Sequence, residues 1–117
     1  MATGMQINNI AIDTPMDESG LYHFHRPIIS RNGRGHAVLA PYSTLEWHFD
    51  YLTVAQWAWW VSGILLSQPY QEYTQCKLFN EVGTLTTYTH CIVYKPTYSR
   101  IQDGLFWDVD VLIDWIY

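Results

Sequence analysis

The stretch of sequence that says most about the fold is LEWHFDYLTVAQW, residues 45–57. Its first half alternates apolar and polar residues with period two, which predicts a half-buried β-strand over 45–51. The apolar side of this strand carries Leu45, Trp47, Phe49 and Tyr51. The opposite side carries Glu46, His48 and Asp50.

The second half of this stretch contains the signals that begin a helix. Thr53 can accept a hydrogen bond from the amide of Gln56, and the Gln56 side chain can reach back to the Thr53 amide. Leu52 is placed to pack on Trp57 as a hydrophobic staple. We therefore predict one α-helix over about 53–67, which ends before Pro69.

The predicted helix is apolar on both sides. Its core stripe is expected to contain Val54, Trp57, Trp60, Val61, Ile64 and Leu65. The opposite face carries Trp59 and Leu66 and no charge, so it should meet either another molecule or the chain's own N-terminal arm. We expect these two side chains to anchor a contact with a neighbouring subunit. The alternative is that Trp59 is a single exposed aromatic residue on the surface.

The chain after the helix predicts a hairpin and a closing strand. Residues 71–79 and 85–94 flank a turn-like segment, and a symmetric hairpin would place Cys76 opposite Cys91. Residues 106–116 alternate for ten positions. The side of this strand predicted to be buried carries Trp107, Val109, Val111, Ile113 and Trp115, and the other carries Asp108, Asp110 and Asp114.

The N-terminal part predicts an arm over residues 1–20, followed by one β-rich domain over 21–117. Pro27 interrupts the strand pattern after residue 21, and Asn32-Gly33 is typical of a tight turn. Strands do not alternate with helices, which excludes a parallel α/β sheet. The predicted fold is mainly β (α+β), an antiparallel β-sandwich or partly closed barrel with one packed helix.

The composition of the chain limits the classes of function that it can have. The chain has 117 residues and a net charge of −5, with 15% charged and 16% aromatic residues. Six basic residues against eleven acidic ones argue against general nucleic-acid binding. Few charges beside many aromatic rings suggest that another molecule covers part of the surface.

Targeting signals are not visible. The first residues show neither a basic nor an apolar leader region, so we expect synthesis in the cytoplasm and free, buried Cys76 and Cys91. The apolar run over 54–66 would span about 20 Å as a helix, short of the roughly 30 Å hydrocarbon core. We therefore expect no membrane span.

Catalytic signatures are missing, and we predict no catalytic site and no cofactor. His90 and Cys91 would point to opposite faces of a strand, which argues against a nucleophile pair. His23 and His25 share one strand face, and a metal site would need a third ligand from His36, His48 or His90. The alternative, surface histidines without metal, is the one that we favour from the sequence.

The three aspartates of the closing strand, Asp108, Asp110 and Asp114, are open to two interpretations. Carboxylates can bind Ca²⁺ or act as a catalytic pair, but same-face positions lie about 7 Å apart on a strand and diverge. We expect a solvated acidic face instead. In an enclosed channel such a face would repel nucleic-acid phosphates.

The basic residues concentrate in one place. Arg26, Arg31 and Arg34 supply three of the six basic side chains within nine positions. We expect them to pair with an acidic surface of a neighbouring subunit, for which Asp13, Asp17 and Glu18 are candidates.

Several segments together resemble the small tail structural proteins of bacteriophages, and most of all the tail-tube class. They are RGHAVLAPY at 34–42, LEWHFDYLT at 45–53, the pairs Gln56-Trp57 and Trp59-Trp60, and WDVDV at 107–111. The resemblance implies a β-sandwich or barrel flanked by one helix, whose copies form rings that stack into a hollow tube. It also implies no enzymatic activity, a place in a virion or extracellular assembly, and contacts with other tail proteins.

Three functional hypotheses follow. We favour a structural, self-assembling subunit of a ring, tube or filament. The second is a carbohydrate- or peptide-binding β-sandwich module, since exposed Trp and Tyr rings stack on sugars and peptides. The third is a small metal-dependent β-barrel enzyme.

Overall fold

A computed structural model describes residues 4–12 and 20–117 of the chain. The described strands are β1 Gln6–Ile7, β2 Ile10–Ala11, β3 Leu21–His25, β4 Ile28–Arg31, β5 Ala37–Leu39, β6 Ser43–Thr53, β7 Tyr70–Tyr73, β8 Cys76–Phe79, β9 Leu85–Tyr88, β10 Cys91–Tyr94, β11 Arg100–Gln102 and β12 Leu105–Ile116. An α-helix, α1, spans Val54–Ala58 and continues as a π-helix over Trp59–Ile64.

The strands form antiparallel sheets that remain open within the described residues. The larger sheet has the order β3-β6-β12-β10-β7, with β11 paired to β12. The smaller sheet has the order β2-β1-β8-β9, and β4 pairs with β5 in a separate hairpin. The structure therefore confirms the mainly-β fold with one short helix.

The core lies where both sheets and the helical segment meet. The long pairing of β6 with β12 is central to it, with Phe49 opposite Val109 and Trp47 opposite Val111. The rings of Trp47 and Trp60 meet edge to face at 6.3 Å. Ile7 and Leu78 of the smaller sheet are fully buried in the same cluster.

The start of the chain is part of this core. β1 pairs with β8, and Met5, Ile7 and Ile12 are buried. The described part of the predicted N-terminal arm therefore supplies two strands, β1 and β2, of the smaller sheet. Asp13, Asp17 and Glu18 lie outside the described residues, so their predicted pairing has no structural outcome here.

The predicted helix start is confirmed, and the helix ends before Pro69 as predicted, three residues earlier than the approximate end at Ser67. Thr53 is the N-cap, with both hydrogen bonds of the capping box to Gln56. The helix ends at Ile64 instead of Ser67, because the chain widens into a π-helix and then turns at Leu66 and Ser67, both with positive φ. Val54 was expected in the core but is 59% exposed.

The predicted hairpin exists, but its register is centred on Val82, so Cys76 and Cys91 are not paired directly opposite one another. Cys76 pairs with Tyr88, and Cys91 pairs with Tyr73. The hairpin bends between its halves, so that β8 and β9 join the smaller sheet while β7 and β10 join the larger one. The two cysteines nevertheless touch in the core, where a hydrogen bond with Cys76 and burial raise the pKa of the Cys91 thiol.

The closing strand is confirmed, but two residues interrupt its regular backbone at positions that the sequence pattern does not predict. Asp108 and Trp115 both have a φ of +53°. The pairing with β6 shifts register between Ile113 and Ile116, so Ile116 is buried while Trp115 is 43% exposed. The prediction that Trp115 belongs to the core is therefore wrong, and the Trp107 ring is half-buried.

Candidate functional site

The outer face of the larger sheet carries the histidine and carboxylate side chains that could bind a ligand or take part in chemistry. Strand alternation sends the apolar residues of β6 and β12 to the core and the intervening residues outward. β3 flanks β6 on one side and β12 flanks it on the other. Side chains that are far apart in sequence therefore become neighbours on this face.

Two histidines and a glutamate form the first cluster on this face. His23 and Glu46 are directly opposite one another in the β3–β6 pairing, and His25 follows two positions later on the same face. One ligand atom from each of His23, His25 and Glu46 lies within 4.8 Å of the others. The His23 and His25 rings stack with centroids 4.5 Å apart.

Glu46 is the third member of the cluster, and no sequence pattern connects it with the two histidines. The sequence suggests His36, His48 or His90 as a third ligand, and the structure brings Glu46 there instead. Its outward orientation was predictable from the alternation of β6. The missing signal was the register between β3 and β6, which depends on a pairing between distant segments.

His48 and Asp110 form a second cluster on the same face. His48 Nδ1 lies 2.7 Å from Asp110 Oδ1, and its Nε2 lies 3.9 Å from Asp50 Oδ1. The hydrogen bond to Asp110 raises the pKa of His48 above its ordinary value, with smaller contributions from the nearby carboxylates. The pair therefore favours the imidazolium form.

We expect the substitution Asp110→Asn to lower the pKa of His48 towards its ordinary value of 6.5. A group whose pKa is raised by folding stabilises the fold fully below its unfolded pKa and loses this contribution as the pH rises through the folded value. Unfolding of the wild type should thus become easier above about pH 6.5, by at most about 1 kcal/mol because the pair is exposed. NMR titration of the imidazole measures the shift.

Asp50→Asn is the matched control for this prediction, since the Asp50 carboxylate lies farther from the same ring. It should lower the pKa of His48 less than Asp110→Asn does. Equal shifts in the two variants would contradict the assignment of the shift to the Asp110 hydrogen bond.

His90 holds the end of the chain in place. Its Nδ1 lies 2.6 Å from the carbonyl oxygen of Trp115, and its Nε2 lies 2.7 Å from Glu72 Oε1. The hydrogen bond to the Trp115 carbonyl, followed by the interaction with Glu72, raises the pKa of His90. Because both ring nitrogens face acceptors, the doubly protonated ring satisfies both contacts.

A groove of about 640 Å³ runs along the outer face beside these clusters. In β12, Ile113 pairs with Val93, and Asp110 pairs with Thr97. Between these two pairs, the segment from Val93 to Thr97 is one residue longer than the facing segment from Asp110 to Ile113. The groove is lined in part by Leu21, His23, Glu46, Tyr94, Lys95 and Leu112.

The three aspartates predicted to form an acidic face differ in exposure. Asp108 and Asp110 are exposed, whereas Asp114 is half-buried. The Asp114 carboxylate accepts a hydrogen bond of 2.7 Å from the Thr44 hydroxyl, and Asp108 accepts one of 3.0 Å from the Ser99 hydroxyl. The open part of the acidic face is therefore Asp108 and Asp110, together with Glu46 and Asp50.

No family model matches this chain. Comparisons with curated proteins and with solved structures find no match either. Among the described residues there is no helix of sufficient length and apolar character to cross a bilayer.

The hairpin of β4 and β5 is a second feature of interest. We call this hairpin, residues 26–40, the arm; it is distinct from the predicted N-terminal arm of residues 1–20. Its two strands pair with each other and with no other described strand. At its base, the Arg26 guanidinium donates two hydrogen bonds to the carbonyl oxygen of Ala40. At its tip, Arg31 donates to the carbonyl oxygen of Gly35, and the Asn32 side chain accepts from the amide of Arg34.

The two residues predicted to anchor a neighbouring subunit through the helix have different surroundings. The Trp59 ring is half-buried and packs edge to face on Trp60, with centroids 4.8 Å apart. Leu66 is 62% exposed. The open apolar surface of this segment is therefore provided by Leu66 and Val54 more than by Trp59.

Proposed function

We propose that this protein is a structural subunit that assembles with copies of itself into a ring, tube or filament, as its resemblance to phage tail-tube proteins implies. The observation that carries the proposal is the arm. It is a hydrogen-bonded β-hairpin that has no partner strand elsewhere in the described chain. The setting that we propose is a virion or an extracellular assembly.

The physical cost of an isolated arm supports this proposal. A lone two-stranded hairpin is marginally stable in water, and its edges present unpaired backbone groups to any strand that can join them. Ile28, Val38 and Leu39 on the arm are 55%, 38% and 44% exposed. A second copy of the chain would cover these side chains and pair an edge.

The distribution of charge indicates which surface of the second copy would receive the arm. Residues 26–42 contain three arginines and no acidic residue, so all eleven acidic side chains lie elsewhere. The outer face of the larger sheet displays Glu46, Asp50, Asp108 and Asp110 beside the groove. Opposite charge favours docking of an arm on this face of the next subunit.

The shape of the molecule agrees with a projecting element. Its extents are 52 × 29 × 28 Å, and its radius of gyration is 15.1 Å. A compact domain of similar length has a radius of about 13 Å. Copies joined through an arm would compensate for the surface that this elongation leaves open.

The proposal is tested by sedimentation velocity and negative-stain electron microscopy of the purified full chain. We expect rings, tubes or filaments for the wild type. The double substitution Val38→Asp and Leu39→Asp should leave monomers, because it places charges in the apolar contact and adds repulsion from the acidic face. Far-UV circular dichroism checks that this variant still folds.

Val82→Asp is the matched control. Val82 is 77% exposed, in the turn between β8 and β9, so Val82→Asp makes the same replacement as Val38→Asp, one of the two changes in the arm variant, at a site outside the arm. This variant should assemble like the wild type. A wild type that stays monomeric as its concentration rises, or an arm variant that assembles normally, would refute the proposal.

The groove favours a second candidate function, a carbohydrate- or peptide-binding module. Tyr94 lines the groove. The centroid of the Tyr70 ring lies 6.3 Å from that of the Tyr94 ring, and Tyr70 is 57% exposed. Aromatic rings beside polar groups are typical of such sites. A monomer that binds a glycan or a peptide in the groove would favour this candidate over self-assembly.

A further inference from the structure

The cluster of His23, His25 and Glu46 has the composition and the position of a metal site. The three side chains project from neighbouring strands, β3 and β6, whose pairing sets their spacing. Their candidate ligand atoms lie within 4.8 Å of one another. A tetrahedral ion with bonds of about 2.0–2.2 Å needs ligand atoms roughly 3.3–3.6 Å apart, which small side-chain rotations would achieve.

An unsatisfied polar atom in the cluster is a second, independent observation. The Nδ1 atom of His25 is buried, and among the described residues it has no hydrogen-bond partner. Buried side-chain nitrogens in native proteins nearly always have a partner, so an exception calls for an explanation. A metal ion bound by Nδ1 would give this atom the partner that it lacks.

We propose that His23, His25 and Glu46 bind one Zn²⁺ ion. Imidazole nitrogen and carboxylate oxygen are both good zinc ligands, and the absence of thiolates and of a carboxylate cage from the cluster disfavours Cu⁺ and Ca²⁺. Three protein ligands leave a fourth coordination position open. His23 and Glu46 also line the groove, so water or a group bound there would complete the coordination.

This site does not depend on self-assembly, because all three ligands come from one chain. Its two strands are anchored in the core by Phe24 and Leu45, which are buried beneath the cluster. His23 and Glu46 are exposed, so their substitution removes ligands without opening the core.

The test uses the full chain with any affinity tag removed and with metal stripped by a chelator. Isothermal titration with ZnCl₂ should show one site per chain. Titration with CoCl₂ should produce the visible absorption bands of a four-coordinate ion. His23→Ala and Glu46→Gln should each weaken zinc binding by roughly tenfold or more.

His36→Ala is the matched control, because His36 is exposed on the arm and does not belong to the cluster of His23, His25 and Glu46. It should bind zinc as tightly as the wild type. Absence of stoichiometric zinc binding at micromolar concentrations would overturn the proposal. Equal affinity of the wild type and the two ligand variants would also overturn it, as would loss of binding in His36→Ala.

Discussion

Replacement of Trp60 with alanine is expected to lower the free energy of unfolding by about 3–5 kcal/mol. Trp60 is fully buried, and its ring meets both Trp47 and Trp59 edge to face. Removal of the ring loses its burial and leaves a cavity that rigid neighbouring strands cannot fill. For a chain of this length the midpoint of thermal unfolding should fall by roughly 10–20 °C.

Urea unfolding followed by circular dichroism measures this effect. Trp115→Ala is the control, because the bulge in β12 leaves Trp115 43% exposed with its ring packed on Tyr42. We expect this variant to lose about 1 kcal/mol or less. Similar losses for the two tryptophans would mean that the π-helical segment does not contribute to the core as described.

Replacement of Gly20 with alanine is expected to lower the free energy of unfolding by about 2–4 kcal/mol. Gly20 has a φ of +80°, which strains any residue with a Cβ. An added Cβ would also lie 2.5 Å from the carbonyl oxygen of His48 and 2.9 Å from the rings of Phe49 and Trp47. The start of β3 would have to move away from β6.

Gly35→Ala separates the two causes. Gly35 has a φ of +78°, close to that of Gly20, but apart from Gly35 itself and its two chain neighbours no heavy atom of the described residues lies within 4 Å of its added Cβ. This variant should lose about 1 kcal/mol, from backbone strain alone. If Gly20→Ala cost no more than Gly35→Ala, the close approach of β3 to β6 would be disproved.

The candidate site illustrates how far local sequence patterns reach. Period two placed His23 and His25 on one face, and it placed Glu46 and His48 on one face of another strand. It contained no information on which residue of one strand lies opposite which residue of the other. That register follows from packing of both strands on the core. The proximity of Glu46 to the two histidines therefore could not be predicted.

The arm shows a similar limit. The Asn32-Gly33 turn and the interruption at Pro27 were visible in the sequence, and both occur in the structure. The concentration of Arg26, Arg31 and Arg34 was visible as well. That the hairpin pairs with no other described strand, and that Arg26 is engaged at its base, depends on how the sheets assemble.

The sequence by itself determined the features that arise from interactions between near neighbours. The alternation of β6 and β12 specified their buried faces, and the hydrogen bonds between Thr53 and Gln56 specified where the helix begins. Tertiary structure decided where local order is broken: the π-helix that ends at Ile64, the bulge at Trp115 and the bend that divides the hairpin between two sheets. The physical reason is that each break costs local regularity, and burial of distant apolar side chains, which no short segment contains, compensates for that loss.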